Sequence, residues 1–183
     1  MRDTKREVLA FWFEETAPAQ WFQKNDAFDE EIRERFFVTY EMAASGLCEE
    51  WRKDSDGALA LCLVLDQFPR NMFRNSPRAF DTDAAALLIS KEAIHKGFDQ
   101  ILQPIRRRFL YLPFEHSENL QDQNRSVELF GTMKDTDPLG YEYAIRHLRV
   151  IEKFGRFPHR NAVLGRANTP EEDEYLATPG AGF

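Results

Sequence analysis

The sequence predicts an all-α fold in which antiparallel helix hairpins pack into a compact stack or αα superhelix. Three observations lead there. Apolar residues recur at helical spacing, helix-starting and helix-stopping residues punctuate the chain with little strand signal between them, and the connections are short enough to fold neighbouring helices back on one another.

The first clear helix starts at Asp26 as a cap, carries Phe28, Ile32, Phe36 and Tyr40 at four-residue spacing, and closes at Gly46. A second opens at Asp56 and holds Leu59, Leu61, Leu63, Val64, Leu65 and Phe68, apolar on nearly every side. Such a helix belongs at the centre of a fold. Pro69 is expected to end it. Thr82 to Lys96 is rich in alanine and leucine, starts among acidic residues and stops at Gly97.

Pro104 suits the first position of the next helix, which carries Phe109, Leu110 and Leu112 until Pro113 interrupts. Ser117 is expected to cap a helix running to about Met133. Asp137 and Pro138 start another, with Tyr141, Ile145, Leu148 and Ile151 on its apolar stripe and Gly155 at its end. Thr169, Pro170 and Glu172 form a capping box for a last short helix, and Thr178 to Phe183 reads as a loose tail.

Size and composition favour one domain spanning residues 1–183. A chain of 183 residues that is 43% hydrophobic and contains 16 phenylalanines has enough aromatic area for a core. Lysine and arginine number 24 against 31 aspartates and glutamates, a net charge of -7, which argues against nucleic acid as a partner. Cys48 and Cys62 lack metal-type spacing and read as buried thiols. No apolar run reaches the length of a membrane span, and the charged start from Met1 to Arg6 does not resemble a secretory leader, so a cytoplasmic location is expected.

Three polar motifs interrupt this apolar framework. Phe68-Pro69-Arg70-Asn71 with Arg74 recurs in altered form as Phe157-Pro158-His159-Arg160-Asn161 with Arg166. An arginine fork and an asparagine amide beside a rigid proline can present donors to a carboxylate or phosphate. The same arginines could instead pair with internal carboxylates or cover the carbonyls of a helix end.

The third motif is Phe114-Glu115-His116-Ser117-Glu118. A histidine oriented by a carboxylate can serve as acid or base, or it can pack against Phe109, Tyr111 and Phe114 while Ser117 and Glu118 cap the following helix. No HxxxH or HExxH pair accompanies these residues, so no metal site is expected, and no cofactor fingerprint occurs. His147 shares a helical face with Tyr143, Val150 and Phe154 and reads as structural. Arg106-Arg107-Arg108 reads as a solvated or acid-paired run, and Trp12, Trp21 and Trp51 with Phe11, Phe13 and Phe22 read as a clamp holding the start of the chain onto the core.

The polar motifs belong to a longer series of motifs along the chain. The series includes Val8-Leu9-Ala10-Phe11-Trp12-Phe13, Leu65-Asp66-Gln67-Phe68-Pro69-Arg70-Asn71, Ala79-Phe80-Asp81-Thr82-Asp83, Phe109 to Glu118, Gly155 to Asn161, Leu164-Gly165-Arg166 and Thr169-Pro170-Glu171-Glu172. Across essentially the whole chain it resembles a bacterial family catalogued as domain of unknown function 924. That resemblance implies a tetratricopeptide-like superhelix and supplies no reaction, cofactor or catalytic residue.

The functional expectation is a polar pocket for a small anionic ligand. Arg70, Asn71, Arg74, Arg160 and Asn161 would bind it, and His116 or His159, oriented by Glu115, would supply acid or base chemistry. The rival expectation is a helical scaffold that binds a protein or peptide in a groove, with the polar motifs structural.

Overall fold

The computed structural model describes residues 4–182. Met1, Arg2 and Asp3 of the charged start, and Phe183 of the expected tail, lie outside the described residues. Among the described residues there is helix and no strand, in agreement with the all-α prediction. The α-helices are α1 Thr4–Ala10, α2 Asp26–Ala44, α3 Ser55–Cys62, α4 Phe68–Met72, α5 Asp83–His95, α6 Phe98–Ile101, α7 Pro104–Glu115, α8 Leu120–Gly131, α9 Pro138–Phe154 and α10 Pro170–Leu176. They belong to two compact units. One runs through Arg74 and resumes over Arg78–Pro113; the other comprises Asn75–Pro77 and the chain from Phe114 onward.

The first unit is built around one long buried stretch. α3 passes through a π turn, Leu63–Gln67, directly into α4, and every residue from 57 to 69 is buried. Asp54, rather than Asp56, provides the cap by accepting from the Gly57 N–H at 2.8 Å. Gly57 has to be glycine because a Cβ there would run into the Trp51 carbonyl.

Pro69 does not end this stretch as the sequence suggested. In a regular helix its N–H would bond to the Leu65 carbonyl, but proline has no N–H. The π turn relieves the register at this point, and the hydroxyl of Thr82 donates to the Leu65 carbonyl at 2.6 Å. The helix therefore continues to Met72.

α2 packs against α4, and α1 and α5 pack against α3. Asn25 caps α2 by accepting from the N–H groups of Ala27 and Phe28, which makes Asp26 its first residue. The resulting core is strongly aromatic. Trp12 stacks on Trp21 at 6.1 Å and meets Phe109 edge to face at 5.6 Å, while Phe11, Phe36 and Phe68 pack together beside them. Trp21 also donates its indole N–H to the Trp12 carbonyl at 2.9 Å. The expected clamp is thus made by Phe11, Trp12, Phe13 and Trp21; Trp51 is only partly buried, and Phe22 stacks on Phe109 while largely exposed.

α7 likewise runs through Pro113 for two further residues before it stops at Glu115. The arginine run on it is engaged locally. Arg106 approaches Asp56 at 3.5 Å, Arg107 donates to the Leu102 carbonyl, and Arg108 stacks over Phe22.

In the second unit α8 packs along α9 and α10 packs on the 3-10 turn Pro158–Arg160. Asn119, not Ser117, caps α8, accepting from Gln121 N–H at 2.8 Å; Ser117 bonds to Asp122 and to the Asn119 N–H. Asp137 caps α9 and Gly155 ends it with φ 67°, as the sequence predicts. Thr169 and Glu172 complete a reciprocal capping box on α10. Val150, Ile151 and Phe157 form the apolar centre here, with Phe154 and Tyr175 against them. After α10, residues 178–182 fold into turns.

Candidate functional site

In the first unit the Arg70 motif is committed to carboxylates. Arg70 sits one helical turn after Asp66 and holds Asp83 through two bonds of 2.8 and 3.0 Å, with Asp66 at 3.3 Å. Burial opposes the charge on Arg70, but Asp66 and Asp83 outweigh it and its pKa rises. Asn71 donates to Asp29 at 2.7 Å, and Arg74 grips the same carboxylate with two nitrogens. These three predicted ligand residues therefore occupy a chain of internal ion pairs joining α2, α4 and the start of α5.

The second unit brings His159 and Arg160 onto Phe157 and adds His147, through which Glu115 and His116 join the cluster. Glu115 closes α7, where carbonyls lose their helical partners. Gln123, fully buried on α8, covers them by donating to the carbonyls of Glu115 and Ser117, each at 2.6 Å. His116 follows directly, and its carbonyl accepts from the Arg160 guanidinium at 3.0 Å. The 3-10 turn after Phe157 aims His159 and Arg160 from the other side. Arg160 lies over the Phe157 ring at 4.6 Å, and that ring contacts His147 at 5.5 Å and His159 at 5.6 Å. His116 and His147 lie 6.3 Å apart.

Depth separates these groups. His116 and His159 are half-buried, whereas Glu115, His147 and Arg160 are buried. His147 Nδ1 is 2.8 Å from the Tyr143 carbonyl and 3.3 Å from Glu115 Oε1. A carbonyl can only accept, so Nδ1 carries the proton and Nε2 holds the lone pair in the neutral ring. Burial lowers the His147 pKa from 6.5 to about 2, and the positive charge of His116, His159 and Arg160 pushes the same way. Glu115 is accordingly a close carboxylate neighbour of a neutral imidazole whose Nδ1–H is given to the Tyr143 carbonyl.

Asn161 belongs to the scaffold of this cluster. Its amide donates to Asn168 at 2.8 Å and its oxygen accepts from Arg166. Arg166 holds Glu118 with bonds of 2.7 and 2.9 Å, and Glu118 also accepts from the Phe157 N–H. Burial would raise the Glu118 pKa, but those partners bring it below the usual value. Arg156 grips Glu172 in the same bidentate way. Together these pairs fix the backbone on both sides of Phe157.

His147, read from the sequence as a structural position, is buried, and its place beside Glu115 is what the sequence does not show. Its helical spacing beside Tyr143 and Val150 is that of any core position, and its contact with Glu115 spans 32 residues, as 147 minus 115, so local pattern carries no sign of it. Among the described residues no group of three histidines, cysteines or carboxylates is placed to hold a metal ion. Nor, among them, is any helix long and apolar enough to cross a membrane.

Comparison with known proteins adds a family and no activity. The chain is similar to a solved structure of a protein of unknown function from Agrobacterium tumefaciens, with 38% identity and a TM-score of 0.90 over 95% of this chain and 97% of that one. No curated protein matches. The model of a bacterial protein family of unknown function, DUF924, matches residues 8–180, and the chain belongs to that family.

Proposed function

We propose that the second unit binds a small anionic ligand, with Arg160 and the half-buried His116 and His159 holding its charge, and with those two histidines able to exchange a proton with it. The observation that carries this reading is the arrangement of His147, His159 and Arg160 about Phe157, with His116 against His147. The same groups that repel a proton from His147 would attract an anion. Glu115 opposes that field, and its carboxylate, 3.3 Å from His147 Nδ1, has an orienting role instead. Arg70, Asn71 and Arg74 are left out of this site because Asp83 and Asp29 already fill their forks.

Thermal unfolding against inorganic phosphate, a phosphomonoester, a small dicarboxylate and a nucleotide tests the reading. A ligand at about a hundred times its dissociation constant should stabilise the native state by roughly 2.7 kcal/mol. The effect should vanish in Arg160→Gln and His159→Gln and survive in His95→Gln, whose parent residue is exposed on α5. Variants that lose stability with no ligand response in the parent protein would favour a purely structural cluster, and would turn the search to a protein or peptide partner.

A further inference from the structure

We infer that residues 178–182 form a displaceable cover over His159 and so regulate access to the anion site proposed above, on which this inference rests. Gly182 lies flat against the His159 side chain. A Cβ at 182 would come within 3.0 Å of His159 Cβ and 3.4 Å of its Cγ, and the backbone there has φ 98°, so both space and conformation require glycine. The cover therefore touches one of the two half-buried imidazoles that would meet an incoming ligand.

The segment is held lightly. Thr178 and Ala181 bond within the turn and back to Tyr175. Among the described residues, the hydrogen bond that ties 178–182 to the unit beyond α10 is the one from Arg146 to the Gly180 carbonyl, at the long distance of 3.4 Å. The sequence Thr-Pro-Gly-Ala-Gly offers no large apolar side chain to bury. Residues 177–180 are exposed, in contrast to Glu172 on α10, which is buried against Arg156. Short exposed segments with few buried contacts open at low free-energy cost, while the helix before them stays folded.

Gly182→Ala should push the cover off His159, and Arg146→Gln should release it without adding bulk. In the full chain, the rate at which diethyl pyrocarbonate modifies each histidine reads access directly by peptide mass spectrometry. Both variants should raise the His159 rate several-fold relative to exposed His95, while His147 stays slow and so reports a folded second unit. An unchanged ratio of His159 to His95 in both variants overturns the cover. A rise confined to Gly182→Ala also overturns it, because it marks local distortion at that residue. Protection of His159 by inorganic phosphate reads the anion site separately: its absence in every variant contradicts the proposed function and leaves the rate ratio to decide the cover.

Discussion

His147 Nδ1 lies 3.3 Å from Glu115 Oε1 while bonding to the Tyr143 carbonyl at 2.8 Å. This pairing fixes the tautomer of a buried imidazole whose pKa is lowered to about 2, first by burial and then by His116. Between about 2 and 6.5 the unfolded chain binds a proton on His147 that the folded chain excludes. Stability from this residue is therefore complete above 6.5 and falls as the pH drops, with a limiting slope of about 1.4 kcal/mol per pH unit. Histidine side-chain NMR should find His147 neutral and Nδ1-protonated at pH 5. A His147 that titrates near 6.5 would refute this environment.

Arg70→Ala should destabilise the first unit by roughly 3–5 kcal/mol, because it leaves the buried carboxylate of Asp66 without its cation. Arg70→Lys should restore little of that, since one ammonium cannot reproduce the two-point grip on Asp83. Denaturant unfolding followed by tryptophan fluorescence reads this unit, where Trp12, Trp21 and Trp51 all reside.

Glu172→Gln should lower the melting temperature of the second unit. Arg156 is the chief reason the Glu172 pKa falls from 4.5 to about 2, so its stabilisation is complete above 4.5 and lost as the pH falls toward 2. The wild-type melting temperature should drop across that window more steeply than that of the variant. Parallel curves would remove Glu172 from the acid response.

Gln123→Leu keeps the side-chain volume and deletes the donors that cover the carbonyls of Glu115 and Ser117. A cost of about 2 kcal/mol follows from leaving such groups unpaired. NMR shifts at His116 and His147 should move with it, because His116 follows the helix end that Gln123 secures and His147 on α9 lies against Glu115 at that end. Unchanged histidine shifts would separate this bond from the cluster.

Much of the fold is legible in the sequence because helix boundaries are local chemistry. Gly97 and Gly155 take left-handed backbone at helix ends, and the Thr169 and Glu172 box closes within three residues. Pro69 misled for the same reason. Its local rule says stop, and the compensating hydroxyl comes from Thr82, beyond the reach of any helical pattern. The site was half legible. Glu115, His116, His159 and Arg160 stand out as polar residues in apolar surroundings, yet the carboxylates that occupy Arg70 and Arg74 come from other elements, with Asp29 supplied by α2.

Titration of isotope-labelled protein with inorganic phosphate, observed at the histidine ring resonances, reads the anion site itself. His116, His147 and His159 should shift together along one saturating curve while His95 stays still, and Arg160→Gln should abolish the response. A shift of His95 equal to the others, or no saturable shift of the three with phosphate, a phosphomonoester, a dicarboxylate or a nucleotide, would contradict it.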